Sequence, residues 1–141
     1  MSQTDGMGPV EQKELLDEVA TTLLAAAPEG WQLLAVEYKS IGQHVEMGAG
    51  AQDAAGNMLD WTPPDEVHPL FWRLRVGMYD GGLGTWFSAF FRMSPPDTYE
   101  IYYNRDSELA WDATDADYAQ EQEMFPRDEE NLPDWLRARI S

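Results

Sequence analysis

The histidines His44 and His68 are the only side chains suited by type to shuttle a proton near neutral pH, and neither stands in HExxH, HxH or a similar spacing. A metal site or hydrolytic triad therefore gains no support from them, and both read as structural or surface residues. Cysteine is absent, which removes disulfides, thiolate nucleophiles and cysteine-ligated metal centres. Asp112, Asp115 and Asp117 offer oxygens that could gather on calcium or work as an acid–base pair. Their spacing lacks the glycine and the distal glutamate of an EF-hand loop, which disfavours calcium but leaves paired-carboxylate catalysis open. Gly77 to Gly84 is glycine-rich but has no Lys-Ser/Thr and follows a helical pattern, where a dinucleotide fingerprint follows a strand. It reads as a helix C-cap leading into a hairpin. These residues assign no catalytic group, metal or cofactor.

Charge narrows the classes further. Lys and Arg total 9 against 26 Asp and Glu, a formal charge of −17. A phosphate-binding face needs clustered cations, so nucleic acid and anionic membrane are both disfavoured as partners. For the same reason the aromatic run Trp86 to Phe91 reads as core and not as a base-stacking platform. An apolar fraction of 43% with six tryptophans separates this chain from disordered acidic tails, which lack the apolar surface to offset chain entropy. Between Asp106 and Asp134 there are eleven acids and one base, Arg127. Trp111, Tyr118, Met124, Phe125, Trp135 and Leu136 are interleaved with them, enough to fasten a fixed acidic array to a core.

The elements that must hold this array follow from periodicity. Val10, Leu15, Leu16, Val19, Leu23 and Leu24 recur at near-helical spacing between Pro9 and the Pro28/Gly30 stop. Trp31 to Ile41 and His44 to Met47 read as two strands around a Gly42-Gln43 turn, with Gly48 to Gly56 a loop or strand extension. Thr62-Pro63-Pro64-Asp65 resembles a helix start, with Thr62 as cap, and the helix is expected to run to Gly81-Gly82. Leu83 to Met93 is apolar on both alternations and predicts a central strand covered on both faces. After the Ser94-Pro95-Pro96-Asp97 turn, Tyr99, Ile101 and Tyr103 alternate with Thr98, Glu100 and Tyr102 in a returning strand. Short helical patterns lie at Tyr118 to Met124 and Leu132 to Ile140, the latter broken by Pro133.

The expected architecture is one α+β domain over residues 1–141, flexible over 1–8. It has a mainly antiparallel sheet of about four strands, an N-terminal helix, a middle helix and short C-terminal helices. Nothing fixes an oligomeric state. The first residues form neither a secretory signal nor a membrane span, so a cytoplasmic location is expected.

Trp111, Tyr118, Phe125-Pro126-Arg127 and Leu132-Pro133-Asp134-Trp135-Leu136 resemble the closing motif of YezG-like immunity proteins from bacterial polymorphic-toxin systems. The resemblance spans Tyr99 to Leu136; the Val10 to Trp31 opening is compatible with it, and Ala49 to Ala55 falls outside it. It implies a cytoplasmic antitoxin that binds a cognate toxin domain, often a nuclease, and blocks its active site without performing chemistry. Charge complementarity supplies the physical reason, since a nuclease presents a basic groove where carboxylates can stand in for phosphates. On this reading Asp112, Asp115, Asp117, Glu121, Asp128, Glu129 and Glu130 supply charge to the interface, and Trp111 and Tyr118 anchor it. Phe125 and Trp135 pin the chain to its core. The alternatives are an acidic chaperone or adaptor for a secreted substrate, and an enzyme built on a carboxylate pair.

Overall fold

Helix α1 (Pro9–Ala25) opens the fold of the computed structural model, which describes residues 7–140. Pro9 sits at its first position, where no backbone N–H is required, and the Glu11 carboxylate accepts from Gly8 N at 3.3 Å. Met7 N donates to the Gly77 carbonyl, so residues 7 and 8 are tied down; the rest of the expected flexible lead, 1–6, lies outside the described residues. Leu15, Val19 and Leu23 form the buried stripe that the spacing predicted.

Strands β1 (Trp31–Ile41) and β2 (His44–Asp53) pair around the Gly42-Gln43 turn with Ile41 opposite His44. Gly42 has φ 58°, the left-handed value that a two-residue hairpin turn demands, and a Cβ there would lie 2.6 Å from the Asp117 carbonyl oxygen. The loop or strand extension expected from Gly48 is strand as far as Asp53, because the backbone ladder to β1 continues through residues with little or no side chain.

Next come β3 (Met58–Leu59), α2 (Val67–Gly77), β4 (Ser88–Ser94) and β5 (Thr98–Asn104). All pairings are antiparallel and the strand order is β3-β2-β1-β4-β5. The fold is therefore α+β as expected, with the two-residue β3 added at one edge. Helices α1 and α2 cover one face, where Leu34, Val36 and Tyr38 of β1 and Phe91 and Met93 of β4 meet Leu23, Phe71 and Leu74.

Two expectations give way here. Helix α2 begins at Val67 and ends at Gly77, and Thr62 does not cap it; Glu66 holds the cap position without a side-chain bond. Strand β4 is covered on one face only: Ala89, Phe91 and Met93 are buried while Phe90 and Arg92 are exposed. The run Trp86 to Phe91 is thus core at Trp86, Phe87 and Phe91 but not at Phe90, because helices pack on a single side of the sheet.

The remaining chain forms α3 (Asp115–Met124), a 3₁₀ turn (Glu129–Asn131) and α4 (Asp134–Ile140). These build a second, smaller core of Ile41, Phe87, Tyr118, Leu132 and Leu136, flanked by Trp111 and Trp135, around the end of the sheet where β1 turns into β2. Among the described residues, no helix is long and apolar enough to cross a membrane.

Candidate functional site

Helix α3 carries the centre of the acidic segment, and Thr114 starts it. The Thr114 hydroxyl accepts from Asp117 N at 3.4 Å, while Asp117 Oδ2 accepts from Thr114 N at 2.9 Å, a reciprocal cap that consumes the Asp117 carboxylate. Asp117 is therefore a helix-start residue first and only partly a surface charge. Asp115, one residue inside the helix, remains exposed and complements the positive end of its dipole.

Glu121 lies elsewhere than expected. It is 1% exposed, and its Oε1 accepts from Arg75 Nη2 at 2.5 Å and from Gly42 N at 2.7 Å. Arg75, also buried, donates further to the carbonyls of Trp86 and Ser40 at 3.1 Å each. The pair locks α3 to α2 and to the β1–β2 turn, so the Glu121 carboxylate expected at the interface is not displayed on the surface. Tyr118, 3% exposed, is likewise interior: its hydroxyl accepts from Trp111 Nε1 at 2.8 Å and its ring meets those of Trp111 and Trp135 edge-on. Its expected role as an anchor falls to the need to fill the smaller core. Trp111 is half-buried and leaves only part of its ring to solvent.

Asp112, Asp115, Asp128, Glu129 and Glu130 do stand exposed. In the chain they form two groups, Asp112 and Asp115 at the start of α3 and Asp128, Glu129 and Glu130 beyond its C-terminal end. Asp112 adjoins the sheet: its N donates to Glu46 Oε2 at 2.7 Å, and His44 Nε2 lies 2.7 Å from the same oxygen. The backbone N–H of Asp112, followed by the His44 contact, holds the Glu46 carboxyl below its ordinary range. Asp128, Glu129 and Glu130 follow Arg127, whose guanidinium is the hub of this end. It donates to the carbonyls of Thr85, Arg105 and Asn131 at 2.9, 2.8 and 3.3 Å and lies over the Phe87 ring. Burial pulls its pKa downward. Phe125 is buried against the Arg75 guanidinium, and Trp135 Nε1 donates to the Asp106 carbonyl at 2.6 Å, so both pin the chain as expected.

A cleft of about 740 Å³ lies beside this hub between Met78, Tyr79, Leu83, Arg105, Arg127 and Glu130. Its lining mixes both signs of charge and has no convergent catalytic set. No group of three or more His, Asp and Glu side chains among the described residues is placed to hold a metal ion. His68 stacks on Tyr38 with ring centroids 5.5 Å apart.

Cations are disposed very differently from the acids. Arg75 and Arg127 are buried; Lys13, Lys39, Arg137 and Arg139 sit in ion pairs with Asp17, Glu46, Glu129 and Asp134, and Glu108. Exposed carboxylates also line α1, at Glu11, Glu14, Asp17 and Glu18, so the surplus of negative charge is not confined to the C-terminal third. Two placements were not foreseen from the sequence: Arg127, a lone base among eleven acids, is buried as a hydrogen-bonding hub, and Phe90 is exposed in an otherwise apolar run.

The fold and surface define an α+β domain whose displayed charge is overwhelmingly negative. Comparison with models of known protein families finds no match, and comparison with curated proteins finds none either.

Proposed function

We propose that this protein is a non-catalytic inhibitor of the immunity type, a cytoplasmic antitoxin that binds a cognate toxin domain with a basic surface, such as a nuclease, and occludes its active site. The observation that carries the reading is the unequal disposition of charge. Most cations are buried or neutralised in ion pairs, while Asp112, Asp115, Asp128, Glu129 and Glu130 project from a frame fixed by Arg127 and by the Arg75–Glu121 pair. Carboxylates held on a rigid frame steer a basic partner, raising association rates on the order of 10- to 1,000-fold, and need no backbone ordering when they dock. The assignment of that partner as a toxin follows the resemblance of the C-terminal motif. Arg127, Leu132 and Trp135 of that motif are here the residues that hold the acids in place.

The test is co-purification with the product of the adjacent gene, followed by stopped-flow association. Replacing Asp112, Asp115, Asp128, Glu129 and Glu130 with Ser is expected to slow association about tenfold or more and to flatten its salt dependence, with the far-ultraviolet spectrum unchanged. Unaltered association kinetics would remove this surface from the interface, and an acidic companion in the native complex would refute the inhibitor reading.

A further inference from the structure

The face of the sheet turned away from α1 and α2 is only partly covered. Strand alternation places Leu33, Ala35, Glu37 and Lys39 of β1 on it, opposite the buried Leu34, Val36, Tyr38 and Ser40. Across the sheet, Glu37 lies between Gly48 of β2 and Phe90 of β4, and Phe90 in turn opposes Tyr102 of β5. The neighbouring row is Gly50, Ala35, Arg92 and Glu100. The C-terminal segment reaches one end of this face, where Lys39 Nζ donates to the Ala110 carbonyl at 2.9 Å and Glu46 receives Asp112 N. Beyond that end the face is bare: Phe90 is 37% and Tyr102 56% exposed.

A solvated face of an antiparallel sheet ordinarily carries polar side chains. This one carries a ridge of two adjacent aromatics, and across the β1 row from them β2 has no side chain at Gly48, where a Cβ would meet nothing within 4 Å. Glu37 stands in the row between them, and no ion pair or side-chain hydrogen bond engages its carboxylate among the described residues. At the ridge, Tyr102 Oη donates to Glu100 Oε2 at 2.5 Å, which fixes the phenol and the carboxylate side by side.

We infer that this face receives an arginine-bearing segment of the basic partner, a guanidinium stacking on Phe90 and Tyr102 while pairing with Glu37, since Glu100 is held by Tyr102 and stands opposite Arg92. The inference rests on the inhibitor reading and names where that partner is gripped. Arginine suits the site better than lysine, because a planar guanidinium can lie on an aromatic ring and present a fork of donors to a carboxylate at the same time, whereas an ammonium acts as a hydrated point charge. The face is continuous with the exposed rim at Asp112, so steering by the rim delivers the segment to the ridge. A second copy of this chain is the poorer occupant, since it would bring another −17 of charge against the same carboxylates.

The test uses the full chain, labelled with nitrogen-15 and titrated with nona-arginine and, separately, nona-lysine peptides. Nona-arginine is expected to shift the amides of Glu37, Gly48, Phe90 and Tyr102 and to bind about tenfold more tightly than nona-lysine. The Phe90→Ser/Tyr102→Ser variant is expected to lose that preference while keeping its affinity for nona-lysine. Glu37→Gln, which preserves shape, supplies the same comparison if the serine pair fails to fold. Equal affinity for the two peptides, with shifts confined to the rim at residues 112–115, would overturn the inference and leave the acidic-surface reading standing. Sheet amides that move with protein concentration alone would give the face to a second copy and overturn it as well. Failure to co-purify with a basic toxin strikes the inhibitor reading whatever the peptides do.

Discussion

Arg75 and Glu121 show how far one residue's role can depart from its type. Each is buried and each keeps a polar atom, Arg75 Nη1 and Glu121 Oε2, without a hydrogen bond among the described residues. A buried ion pair often gains little over well-packed apolar residues, but removing one member strands the other's charge in the interior. Glu121→Ala is therefore expected to cost about 3–5 kcal/mol in urea unfolding, whereas Arg75→Met/Glu121→Leu should recover most of that loss. Equal stabilities for the single and double variants would show that the pair is not the source of the cost. Glu121 looked like one acid among eleven because its partner lies 46 residues away, a separation that no local pattern encodes. Residues with local signals were legible: Pro9 at a helix start and Gly42 in a hairpin turn each perform the role their chemistry dictates.

Between elements, the contacts that matter for the proposed interface join the C-terminal segment to β1 and β2. Glu46 is central, holding Asp112 N and the His44 ring. Its pKa is lowered from the ordinary 4.5, first by the Asp112 N–H. A carboxylate whose folded pKa is depressed contributes stability above its unfolded value and loses it as pH falls through the folded one. The stability difference between wild type and Glu46→Gln should accordingly be full above pH 4.5 and shrink as acid carries the chain below it. Urea midpoints measured across that window check this, and a difference that grows on acidification would contradict it. The elements themselves were readable where one face of a strand or helix is buried: α1, the first hairpin, and the alternation of Tyr99, Ile101 and Tyr103 in β5. Strand β4 was not, because Phe90 is apolar yet points to water, and hydropathy cannot distinguish a covered aromatic from one kept bare.

For the whole molecule, the class of fold and the sign of the surface were both accessible from composition and pattern. The side of the sheet on which the helices settle was not, since β1 carries apolar residues on both alternations. At −17 the native state also repels itself, and unfolding relieves that repulsion by moving the charges apart. Raising sodium chloride from about 20 to 500 mM should therefore raise the melting temperature by screening those interactions. A melting temperature that falls or stays level would mean that local ion pairs such as Arg139–Glu108 outweigh the general repulsion.

The scarcity of lysine has a practical consequence. Lys39 is held by Ala110 and Glu46 at the edge of the bare sheet face, while Lys13 projects from α1 on the opposite side of the molecule, 70% exposed. Amine-directed immobilisation on a sensor chip through these side chains would thus fall chiefly on Lys13. The protein would be tethered by its helical back, with Phe90 and Tyr102 presented outward to whatever flows past.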